Sequence, residues 1–161
     1  MFKSGKIKYA IGTIEIISFV IFLAIMTVFV QAYERLPRVF PDTVASSVFS
    51  KLGGKNVFIY VFILAASIYG LLFIIKRFPR LPSYPVRITP KNVEFEMKLA
   101  RLTLSIITML AMMAMLIIMV GLYIVASKQL IYFDIQTPIF IIIGLLVVVV
   151  SVYFILAFKF K

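Results

Sequence analysis

Four stretches of the chain are apolar on every helical face, and the polar positions collect between them. The runs cover residues 10–30, 57–75, 102–126 and 139–158. They hold 21, 19, 25 and 20 residues, and about 20 helical residues cross a hydrocarbon core of about 30 Å. An amphipathic surface helix would show a polar stripe; these do not, so they read as spans. The first run is too long for the apolar stretch of a signal peptide and holds Glu15, so it too reads as a span. The pattern predicts an all-α membrane protein with four transmembrane helices, built as a single membrane domain over residues 1–161.

The segments between the runs carry their own signals. In the first, Leu36-Pro37 and Phe40-Pro41 impose extended dipeptides. Asp42 is then a good N-cap, and Val44, Val48, Phe49 and Leu52 recur at helical spacing before Gly53-Gly54 ends the pattern. This predicts a short amphipathic helix in the first loop, a candidate recognition element on the membrane surface. In the second, Pro79, Pro82, Pro85 and Pro90 predict a rigid, extended stretch. Thr89 caps the next helix with Pro90 at its first position, and the helix is expected unbroken over 90–126. At 1.5 Å per residue it is about 55 Å long, nearly twice the core, so about three turns project beyond the membrane. These turns carry Lys91, Glu94, Glu96, Lys98 and Arg101, with Glu94 and Lys98 an i,i+4 pair of favourable sense. Thr137-Pro138 repeats the cap-and-proline start for the fourth run.

Charge sets the orientation. Twelve Lys and Arg residues fall in the two tails and the second loop, and five in the first and third loops. Lys and Arg concentrate on the cytoplasmic side, so both termini and the extension of the third helix are expected in the cytoplasm, at the plasma membrane. The same surplus, part of a net charge of +11, is a contact for anionic lipid headgroups, worth about 1 kcal/mol per residue near the surface. No aromatic–basic platform accompanies it, so nucleic acid is not an expected partner. Composition agrees with the spans: 63% hydrophobic and 14% charged residues, with a mean hydropathy of +1.13.

Little chemistry is on offer. Cys, His and Trp are all absent, which removes thiolate sites and the commonest general base near neutral pH. The span serines, Ser18, Ser67, Ser105 and Ser151, lack a base, and both Asp42 and Asp134 fall in loops. The chain reads as non-enzymatic, with no cofactor and no metal. Glu15, about 8 Å into the first run at 1.5 Å per residue, is the one charge well inside a span. An intramembrane carboxylate is a functional candidate with a partner to be named; Arg101 and Lys98 are the expected partners. Its roles are a structural ion pair or proton coupling. Met109, Met112, Met113, Met115 and Met119 spread round the third helix and read as packing residues. Ala66 and Gly70, with Gly121 and Gly144, are candidate points of close helix approach.

Two stretches resemble a known family. Leu36-Pro37-x-x-Phe40-Pro41, followed by Gly53-Gly54-Lys55, is similar to the outer loop of a prokaryotic multi-pass membrane domain of unknown function. That domain forms the N-terminal part of SdpI-type immunity proteins. Tyr84-Pro85-Val86-x-Ile88-Thr89-x-x-Asn92, running into Leu99-Ala100-Arg101, resembles the run after the same domain's second span. The matches cover roughly residues 33–101. Thr43 and Ala45 stand where the family usually has His and Asn. The resemblance implies a non-catalytic protein that recognises a hydrophobic peptide or a protein partner. Two other roles are open: an accessory subunit of a larger membrane complex, and a small proton-coupled transporter using Glu15.

Overall fold

The computed structural model describes residues 4–36, 54–78, 93–128 and 136–159. Four helices account for nearly all of them: α1 (Ser4–Arg35), α2 (Asn56–Arg77), α3 (Val93–Lys128) and α4 (Gln136–Lys159). Each is long and apolar enough to cross a membrane, the architecture of a multi-pass membrane protein.

Every helix outruns its apolar run, because backbone hydrogen bonding continues into the polar flanks until something breaks it. In α1 no proline intervenes before Pro37, so the helix starts at Ser4 and ends at Arg35. Helix α2 is bounded more sharply. Gly54 sits at φ 69°, in the left-handed region that favours glycine. At the other end Phe78 leaves helical geometry directly before Pro79, while its N–H still donates to the Ile74 carbonyl at 3.1 Å. The unbroken third helix is observed over Val93–Lys128. Residues 90–92 lie outside the described residues, as do the predicted surface helix with Val44, Val48, Phe49 and Leu52 and the proline-rich stretch.

Helix α3 is the hub. It packs against α1, α2 and α4, and α1 and α2 also touch each other. Met112, Met115 and Met119 lie buried in the shared core with Ile25, Ala32, Phe58 and Ala65. A second contact binds α1 to α2: Phe22 stacks on Tyr69 with ring centroids 5.0 Å apart, and Phe29 stacks on Phe62 at 4.7 Å. Both pairs join residues seven apart on each helix, so one face of α1 meets one face of α2. The helices are antiparallel. The start of α2 meets the end of α1, where Lys55 Nζ donates to the Tyr33 carbonyl at 3.2 Å and lies 4.1 Å from the Tyr33 ring centre. The end of α2 meets the first half of α1, as described below. Helix α4 is the outlier. Its main neighbour is α3, its buried residues are Ile142 and Ala157, and the rest of its surface is largely exposed apolar side chain.

The small-residue positions need correction. A Cβ added to Gly70 or to Gly144 would meet nothing within 4 Å, so neither marks a close approach between helices of this chain. In α2 it is Ala65, not the neighbouring Ala66, that is fully buried. Gly121 is buried.

Candidate functional site

The polar cluster lies toward the end of the bundle that carries the start of α1 and the end of α4, and a helix end places Lys76 in it. Because α2 stops at Arg77, Lys76 falls in its last turn, where a cation is favoured by the exposed carbonyls. One of those carbonyls, that of Lys76 itself, accepts a hydrogen bond from Arg101 Nη2 on α3 at 3.4 Å. One turn further along α3, Ser105 Oγ donates to Glu15 Oε1 at 3.3 Å. The same Oε1 lies 3.6 Å from Lys76 Nζ, a contact ion pair longer than a hydrogen bond. Glu15 thus joins three helices: its own, α2 through charge, and α3 through a hydroxyl.

The partner of Glu15 is therefore Lys76, where Arg101 and Lys98 were expected. Arg101 is engaged by the Lys76 carbonyl, and Lys98 pairs with Glu94 in the predicted i,i+4 sense. Lysine reaches Glu15 because its long stem lets the ammonium move a full side-chain length along the bundle from its backbone position. The two partners are unequally covered: the Lys76 side chain is 7% exposed and that of Glu15 42%. The bundle encloses the ammonium more completely than the carboxylate. Ser18, one turn beyond Glu15, is fully buried and turns its hydroxyl back to the Ile14 carbonyl at 2.8 Å.

The extension of α3 ahead of Leu102 is not the free surface its charges suggest. Leu99 packs against Ala157 near the end of α4, with Phe95, Tyr153 and Leu156 around them. Glu96, on the same helical face one turn before Leu99, is fully buried, and neither of its carboxylate oxygens has a hydrogen-bond partner. Burial pushes its pKa up from the ordinary carboxylate value. Glu94, on the outside, behaves oppositely: the Lys98 hydrogen bond, then the Lys98 charge, hold its carboxyl below the usual range.

Sequence reasoning missed Lys76, Glu96 and the aromatic ladder. The ladder had a signal in the seven-residue spacing of Phe22 and Phe29 and of Phe62 and Tyr69. The burial of Glu96 had none, since it depends on how the helices pack at this end of the bundle. Among the described residues no group of acidic side chains is arranged to hold a metal ion. Comparison of the chain with protein-family models, with curated proteins and with solved structures finds no match.

Proposed function

We propose that this chain is a non-catalytic protein of the plasma membrane, of the SdpI-like immunity or signalling type, which recognises a hydrophobic peptide or protein partner. Both termini face the cytoplasm in this reading, on the strength of the Lys/Arg asymmetry. The observation that favours it over proton-coupled transport is the engagement of Glu15 by Lys76 and Ser105. A proton-coupled transporter needs its carboxylate to exchange partners during a cycle; here the carboxylate spans three helices and ties them together. The family resemblance over residues 33–101 supports the same reading.

Recognition is assigned to the first loop and to the apolar surface the bundle leaves open. Deleting residues 42–52 is expected to abolish partner binding, or protection against a membrane-active peptide, while the protein still inserts. Binding is read by co-purification and protection by survival in a peptide challenge. Full retention of both after the deletion overturns the assignment.

A second reading, an accessory subunit of a larger complex, is favoured by α4. With α3 as its main neighbour, most of its circumference offers apolar side chains, and Gly144 leaves room for a close-packed foreign helix. That reading requires a partner chain at fixed stoichiometry.

A further inference from the structure

The end of the bundle that carries the termini holds more positive charge than its carboxylates neutralise. Lys98 is matched by Glu94. Among the described residues, Lys76, Arg77 and Arg101 then meet the single carboxylate of Glu15, with Glu96 buried apart from them. Arg101 is fixed on the carbonyl of the residue preceding Arg77, so two guanidinium-bearing residues on adjoining helices converge on one helix end, and both are exposed. On α1, Gly12 and Lys8 occupy the Glu15 face one and two turns nearer the terminus. A Cβ at Gly12 would meet nothing within 4 Å, which leaves open space beside the ion pair, and Lys8 lies exposed beyond it.

We propose that this end of the bundle is a specific site for the phosphodiester headgroup of an anionic phospholipid, held by Arg77 and Arg101. Guanidinium is the side chain suited to a phosphate oxygen pair, because its planar donors match two oxygens at once. Basic residues gathered between spans at the membrane surface are the usual means of holding such headgroups. A lipid is favoured over a free phosphate by what adjoins the arginines: Ile74 and Phe78 on α2 are 53% and 57% exposed, an apolar surface for the acyl chains. The proposal goes beyond the recognition role and does not depend on it. The orientation above decides only which leaflet supplies the lipid.

The test is native mass spectrometry of the whole chain, stripped of lipid in detergent and titrated with phosphatidylglycerol, with phosphatidylcholine, and with inorganic phosphate. One phosphatidylglycerol is expected to stay bound where phosphatidylcholine does not, and millimolar phosphate should not displace it. Arg77→Gln should weaken retention about fivefold and Arg77→Gln with Arg101→Gln about thirtyfold, following the energy of one basic residue near an anionic surface. Lys159→Gln should leave it unchanged. Arg77→Gln keeps the Arg101 contact to the Lys76 carbonyl, so loss in that variant reports binding and not folding. Equal retention of the two lipids, an unaffected double variant, or displacement by phosphate overturns the proposal.

Discussion

Replacing Glu15 with leucine will destabilise the bundle more than replacing Lys76 with methionine, although both break the same ion pair. The asymmetry comes from burial. Glu15→Leu strands an ammonium that is 7% exposed, whereas Lys76→Met strands a carboxylate that is 42% exposed and keeps the Ser105 hydroxyl. Breaking a buried pair from one side costs about 3–5 kcal/mol, and the Ser105 hydroxyl that Glu15 keeps puts Lys76→Met at the lower end or below it. The double variant should recover most of the loss, since an apolar pair of similar size is often as stable as the charges it replaces. Thermal or denaturant unfolding followed by circular dichroism reads all three variants, as the chain has no tryptophan. Equal losses in the two single variants, or a double variant no better than the worse single, would remove the ion pair from the account. A further variant bears on transport: Glu15→Gln should leave proton flux in liposomes unchanged.

Glu96 carries the second large effect, and with the opposite sign. Its two unpartnered oxygens are a liability, so Glu96→Met, apolar and of similar length, should stabilise the protein by about 1–3 kcal/mol. Glu96→Lys places a permanent charge there and should loosen α4 from α3. The pH dependence follows from the raised pKa. The folded state holds the Glu96 proton to higher pH than the unfolded state does, so the neutral carboxyl favours folding at low pH. Stability contributed by this group declines as pH rises from the ordinary carboxylate value of 4.5 through the raised folded value, then levels off. Glu96→Met should flatten that decline. A variant as pH-sensitive as the wild type would show that another group is responsible.

The spans were legible because hydropathy over about 20 residues needs no tertiary information. The same holds for the continuous third helix, where no glycine or proline interrupts residues 93–120. Pair geometry was not legible in the same way. Glu15 was matched to cations at the mouth of the third helix, but Arg101 is drawn to the open carbonyl end of α2, and Lys76 reaches inward on its flexible stem. Polarity also misled at Glu96, where a charged position on a projecting helix lies fully buried, one turn from the Leu99–Ala157 contact. Ala66 and Gly70 satisfy the spacing of a packing motif, yet the chain places nothing against Gly70, because spacing defines a helix face and not what that face meets.

The most direct test of the recognition reading is gentle-detergent purification of the whole chain from its native membrane, with mass spectrometry of everything that stays bound. A lone protein or homo-oligomer, free of larger membrane proteins, is the result expected for the immunity-type reading, whose peptide is then sought in challenge assays. A stoichiometric set of larger membrane proteins would contradict it and make the chain an accessory subunit.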